Sequence, residues 1–269
     1  MKTFKQFLES SIPYGDNPFD SLAGRTLVFF DTETTGINPA VSQITELAAK
    51  SIDGDSFQDI DQFHFHAQLT EQTLAKIEAE AVKPPEGKYA KSVKDILAMT
   101  NYYNFHAEAT EEQLISKFGE WVPEGCIMVA HNAKFDLKMV NTRARINGVS
   151  PVLHFDKVLD TMTMSREFFI PAGQELERDN PEIKGQLDAL TTKFAKSGKR
   201  AKVSSRLGDL IDALGEELKN WHEAMADVDA TIKIFKQFKV FFDKYHKTGV
   251  EQTSDFKRRY SRARKLRYR

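Results

Sequence analysis

One stretch, Thr26-Leu27-Val28-Phe29-Phe30-Asp31-Thr32-Glu33-Thr34-Thr35-Gly36, constrains this chain more than any other. An apolar run of β-branched and aromatic residues closed by a Thr-Gly turn predicts a buried strand. Side chains two apart on a strand share a face, so Asp31 and Glu33 project side by side from its carboxyl end. Paired carboxylates repel unless something positive lies between them, and a hard divalent cation held by oxygen ligands, Mg²⁺ above all, relieves that repulsion. Two solvated acids at an exposed strand end would be the alternative if the segment stood alone.

It has company further along the chain. Gly125 to Ala130 predicts a fully apolar strand that runs into His131-Asn132-Ala133-Lys134-Phe135-Asp136, followed by a helical pattern ending near Gly148. Asp136 then sits at a helix start just beyond a strand's carboxyl end, where open α/β sheets place their active sites. After Trp221, the residues His222-Glu223-Ala224-Met225-Ala226-Asp227 open a long helix with the stripe Met225, Val228, Ile232 and Phe235. Residues five apart on a helix differ by about 140°, so His222 meets Asp227 over a shared site only from the preceding loop or first turn. The helix is therefore predicted to begin just after His222. Asp229 lies about 200° from Asp227, on the solvent side with Lys233, which makes Asp227 the inward acid.

The remaining elements fill in around these motifs. Ile44 to Ile52 predicts a second strand, with Glu46 as a buried acid whose role, hydrogen bonding or catalysis, stays open. Phe63, Phe65 and Ala67 alternate as on a third strand. Residues from about 70 to 103 read as helical and then irregular around Pro84-Pro85-Glu86-Gly87, an insertion or lid. Thr110-Glu111-Glu112-Gln113 fits a capping box opening a helix through Leu114, Ile115, Phe118 and Trp121. A fifth strand, Leu153 to Leu159, ends in Asp160-Thr161, and Met162 to Phe169 reads as a short helix. Residues 171–202 show no apolar period and carry the basic run Lys193 to Lys202, so they are expected to form a mobile excursion. Leu207, Leu210, Ile211 and Leu214 mark a helix that Gly215 stops.

The motifs Asp31-Thr32-Glu33-Thr34-Thr35-Gly36, His131 to Asp136 and His222 to Asp227 resemble, in order, the three exonuclease motifs of the DnaQ-like (DEDDh) 3′-to-5′ exonucleases. Leu159-Asp160-Thr161 and the leucine-rich helix from Arg206 to Leu214 fit the same pattern. The resemblance covers about residues 25–240 and implies an RNase H-like α/β fold: a five-stranded mixed sheet flanked by helices, with insertions near 70–105 and 171–203. It implies Asp31, Glu33, Asp136 and Asp227 as ligands of two Mg²⁺ ions, with Mn²⁺ as a substitute, and His222 as general base. Phosphodiester hydrolysis needs a nucleophile made from water and stabilisation of the leaving 3′ oxygen. Two metals about 3.5–4 Å apart supply both. A histidine with an ordinary pKa of about 6.5 is mostly neutral at physiological pH and can accept the water's proton.

Thr34 and the Thr35-Gly36 turn resemble the family's contacts to the terminal nucleotide, and Asn132 and Phe135 are placed to touch sugar or base; core packing is the equal alternative for Phe135. The implied substrate is a nucleic acid, foremost the 3′ end of single-stranded DNA. Two alternatives stay open: a proofreading or processing subunit bound to a polymerase or another protein through the termini, and an exoribonuclease acting on RNA 3′ ends.

Composition limits the setting. At 269 residues and 41% hydrophobic content the chain can bury a large core. No apolar stretch approaches the roughly 20 residues that cross a bilayer, so no membrane role and a cytoplasmic location are expected. The one cysteine, Cys126, excludes an internal disulfide and a cysteine-rich zinc site, and its apolar neighbours mark it as a core residue. The net charge of -1 hides an asymmetry: residues 255–269 hold eight basic residues and one acid, which leaves -8 on residues 1–254. Such a tail, with Tyr260 and Tyr268 interleaved, fits attraction to nucleic-acid phosphates; a solvated terminus is the alternative.

At the other end, Met1 to Ser10 sets Phe4, Phe7 and Leu8 at helical spacing. This peptide resembles the leader of internal head proteins of T4-like phages, removed after a glutamate two residues beyond Leu or Ile. Here Glu9 follows Leu8, with Phe7 at the aliphatic position. The resemblance implies packaging in a capsid; a helix packed on the nuclease body is the other reading.

Overall fold

The computed structural model describes residues 19, 22–81, 107–149, 155–170, 173–174, 177, 180–192, 203–216 and 223–246. The N-terminal peptide, most of the first expected excursion, about half of the second, His222 and the basic tail lie outside the described residues.

Five strands form one sheet: β1 (Thr26–Thr34), β2 (Ile44–Asp53), β3 (Asp59–His66), β4 (Cys126–Ala130) and β5 (Phe155–Asp160), in the order β3-β2-β1-β4-β5. β2 runs antiparallel to both β1 and β3, whereas β1, β4 and β5 are parallel. The helices are α1 (Glu71–Ala81), α2 (Glu111–Trp121), α3 (Ala133–Ile146), the short α4 (Thr161–Met164) continued by a π-turn at Ser165–Phe169, α5 (Pro181–Thr192), α6 (Leu207–Ala213) and α7 (Ala224–His246). None is long and apolar enough to cross a membrane. The expected mixed five-stranded sheet with flanking helices is the observed architecture.

Strand alternation splits β1 between two cores. Leu27 and Phe29 face one side with Ala48, Ile127, Val129 and the α7 residues Val228, Phe235 and Phe238. Val28 and Phe30 face the other with Leu47, Phe63, Met128 and residues of α2 and α3. The Phe29 and Phe235 rings meet edge to face at 5.3 Å, and burying two such side chains contributes several kcal/mol. Cys126 is buried in the second core, as its neighbours predict.

Local chemistry accounts for the helix boundaries. The capping box is present: Thr110 Oγ1 accepts from the Gln113 N–H, while Gln113 Oε1 accepts from the Thr110 N–H. Immediately after that cap, the buried Glu111 accepts from Ile44 N–H, from Arg143 twice and from Asn147, tying α2 to β2 and α3. At the end of α6, Gly215 takes φ 74° and the Glu216 N–H returns to the Ile211 carbonyl. That reversal is the Schellman stop, open to glycine because it has no Cβ.

The expectation for residues 171–202 needs correcting at its centre. Residues 181–192 form α5, with Pro181 in its first position and Asn180 Oδ1 accepting from the Ile183 N–H. Ile183, Leu187 and Leu190, spaced four and three, are buried in the α7-side core. A helical period is therefore present, but it is three residues long and flanked by polar sequence, which hides it.

Candidate active site

β1 carries Asp31 and Glu33 beyond Leu27 and Phe29 on the sheet face that α7 covers. There the apolar packing gives way to acids. Asp227, on the first turn of α7, turns toward the strand, and the ligand oxygens of Asp31, Glu33 and Asp227 all lie within 4.8 Å of one another. Asp229 points elsewhere: its side chain is 48% exposed, and its Oδ1 accepts from Lys50 Nζ at 2.6 Å. Lys233, grouped with Asp229 by helical angle, pairs instead with Glu216.

Asp136 arrives from the opposite layer. It lies on the first turn of α3, is almost fully buried, and its Oδ1 accepts from both the backbone N–H (3.2 Å) and hydroxyl (2.7 Å) of Thr32. It is not one of the three acids within 4.8 Å, but its charge acts on Asp31. Thr32 stands between Asp31 and Glu33, so alternation sends it to the other face, where it meets Asp136.

The electrostatics are those of acids crowded together away from water. Burial, then repulsion from Asp136, Asp227, Glu33 and Glu46, pushes the Asp31 carboxyl well above its usual range. Burial raises Asp136 to about 7 against the lowering effect of the Thr32 bonds, and burial with Glu46 nearby raises Asp227 to about 6. Asp227 Oδ1 is buried with no hydrogen-bond donor among the described residues. An orphaned buried carboxylate oxygen beside two further acids is a donor set suited to a hard cation.

The expected substrate contacts are mixed. Thr34 Oγ1 donates to the Gly36 carbonyl, and Thr35 exchanges two bonds with Gln43, so these residues brace their own turn. A Cβ at Gly36 would stand 2.8 Å from Ser42 Oγ, a contact that rotation of the serine side chain relieves. Asn132 has an exposed side chain and a left-handed backbone (φ 71°). Phe135 is half-buried against the α2/α3-side core.

Several supporting residues escaped the sequence reading of roles. Asp160 Oδ1 accepts from Asn132, Met162 and Thr163 N–H groups, fixing the turn that precedes Asp136. His131 spans Thr161 Oγ1 (2.9 Å) and the Ser205 carbonyl (3.0 Å), and burial lowers its pKa to about 4. It is a neutral strut with the proton on Nε2, which faces the carbonyl. Glu46 is buried, and its Oε1 takes the Ala224 N–H at the start of α7 together with His64 Nε2. The motifs hinted at His131 and Asp160 by position alone.

Residues 28–86 and 103–235 match the RNase T family, described as Exonuclease. A segment of DNA polymerase III PolC-type from Staphylococcus haemolyticus (strain JCSC1435) is 28% identical over 264 residues, 96% of this chain and 14% of that polymerase. The Staphylococcus aureus counterpart is 27% identical over 229 residues, 85% of this chain and 12% of that polymerase. The chain thus spans only about one seventh of the length of these curated relatives. In fold it is similar to Escherichia coli exonuclease I in complex with a dT13 oligonucleotide, at TM-score 0.53 and 20% identity over 83% of this chain and 43% of the other. With its three motifs in order on an RNase H-like sheet, the chain belongs to the RNase T exonuclease family, the DnaQ-like group that those motifs resemble.

Proposed function

We propose that this chain removes nucleotide 5′-monophosphates from the 3′ end of single-stranded DNA in a metal-dependent reaction. The observation that carries the reading is the meeting of Asp31, Glu33 and Asp227 within 4.8 Å, with Asp136 bearing on the same charges. Those four carboxylates would hold two Mg²⁺ ions. When bound, the ions supply a water of lowered pKa and offset charge on the leaving 3′ oxygen. His222, two residues before α7, acts as the base that takes the water's proton. The Thr34–Gly36 turn and Asn132 position the terminal nucleotide, and the basic tail draws in the strand. DNA is the favoured polymer because the similar segments belong to DNA polymerases.

The same likeness favours a second reading, in which the chain works beside a polymerase rather than alone. One experiment addresses both. The isolated chain with Mg²⁺ should shorten a 5′-labelled DNA oligonucleotide one nucleotide at a time, stop on chelation, and leave circular single strands intact. Unchanged activity in Asp31→Ala, or cutting of the circle, refutes the proposal. Activity that appears only with a polymerase added selects the second reading, and preference for an RNA oligonucleotide overturns the choice of DNA.

A further inference from the structure

The face that carries the acids does not end at β1. Register pairs Glu33 with Glu46 and Glu46 with His66, so one row crosses three strands. The next row pairs Asp31 with Ala48 and Ala48 with His64. His64 and His66, two apart on β3, therefore share a face with each other and with Glu46. Their rings lie 4.9 Å apart, and one ligand atom from each of Glu46, His64 and His66 falls within 4.8 Å of the others. No step of the exonuclease reaction needs the two histidines.

We propose that Glu46, His64 and His66 form a binding site for a single Zn²⁺ ion, distinct from the carboxylate centre. A tetrahedral zinc with bonds of about 2.0–2.1 Å has ligand-to-ligand edges of about 3.3 Å. Glu46 Oε1 lies 2.8 Å from His64 Nε2 and 3.7 Å from His66 Nε2, so adjustments of about half an ångström bring both edges to that length. The donor set, two imidazoles and one carboxylate, is that of zinc sites that keep a fourth position for water, and imidazole selects zinc over Mg²⁺. The Glu46 side chain is 1% exposed, and its Oε2 is buried without a hydrogen-bond partner among the described residues. His64 is 37% exposed on the edge strand, which gives an ion a way in. The carboxylates of Glu108 and Glu223 act on His64 and add negative potential around it. Because Glu46 Oε1 also receives the Ala224 N–H, the ion would share its carboxylate with the first turn of the helix bearing Asp227.

The test is calorimetric titration of the chelator-treated full chain with Zn²⁺ in excess Mg²⁺, followed by X-ray absorption at the zinc edge. One equivalent should bind, with scattering from two imidazoles. His64→Ala should weaken binding at least tenfold while the metal-free protein keeps its melting temperature within a few degrees. Should that variant unfold, His64→Gln, which retains a hydrogen-bonding group for Glu46, must show the same loss. A double variant Asp31→Asn with Asp227→Asn, which disarms the carboxylate centre, should bind zinc as the parent does. Absence of zinc binding, equal affinity in the His64 variants, loss in the carboxylate double variant, or a spectrum without imidazole overturns the assignment.

Discussion

Thr32 and Asp136, 104 residues apart, are joined by two hydrogen bonds to one carboxylate oxygen, from the backbone N–H and from the hydroxyl of the same threonine. These bonds favour the ionised form of an acid that burial otherwise pushes up to about 7. Thr32→Val keeps the shape and the N–H but removes the hydroxyl. A hydrogen bond to a charged group is worth about 1.5–3 kcal/mol, so the Asp136 value should rise by about one unit or more. In the metal-free protein the titration of Asp136, followed by carboxyl NMR, should move upward by that amount in the variant. A titration that does not move would show that the Thr32 hydroxyl does not hold the Asp136 carboxylate.

Asp227 and Asp229 offer a matched pair on one helix. Asp227→Asn removes an acid from the carboxylate cluster and should lower Mg²⁺-dependent turnover by at least a thousandfold with little loss of stability. Asp229→Asn weakens only a partly exposed pair with Lys50 and should cost no more than about 1 kcal/mol, with turnover nearly unchanged. Kinetics and urea midpoints of both variants check the assignment, which an inverted result would sink.

The raised carboxyls make the metal-free protein sensitive to pH. Asp136 at about 7 and Asp227 at about 6, with Asp31 also raised, keep protons that the unfolded chain, near the ordinary 3.8, has released. The folded state binds more protons, so this stability is fully present below about pH 3.8, falls progressively above it, and is gone once pH passes about 6 for Asp227 and about 7 for Asp136. His131 works the other way: its folded value of about 4 lies below its unfolded value, so its contribution is lost as pH falls from about 6.5 toward 4. In chelator, the melting temperature should be a few degrees higher at pH 6 than at pH 8, as about 1 kcal/mol from Asp136 alone implies. Adding Mg²⁺ at pH 8 should recover the difference, because the cation replaces the protons. A flat thermal profile in chelator would contradict the raised values.

Helix α5 is expected to contribute to the core rather than decorate it. Leu190 is fully buried in the α7-side core, and Leu190→Ala should cost about 2–5 kcal/mol, read from the urea midpoint at unchanged slope. A cost below about 1 kcal/mol would mean that the helix is not packed there in solution.

What could be read from the sequence is what depends on short range. Strand alternation puts Asp31 and Glu33 on one face, the Thr110 capping box opens α2, Gly215 stops α6, and α7 begins just past His222, all from neighbours within a few residues. Helical angle also separates Asp227 from Asp229, because a turn of helix is a local property. The three motifs resemble one family in order, so the fold and the inventory of acids were legible without coordinates. The partners across the sheet were not. Thr32 with Asp136, Glu46 with Ala224, and the row from Glu33 through Glu46 to His66 depend on strand register and on how α3 and α7 dock. Register is set by the sum of many weak packing contacts, which no local pattern encodes. The same holds for α5, whose three apolar residues become a helix face only when the α7-side core closes over them.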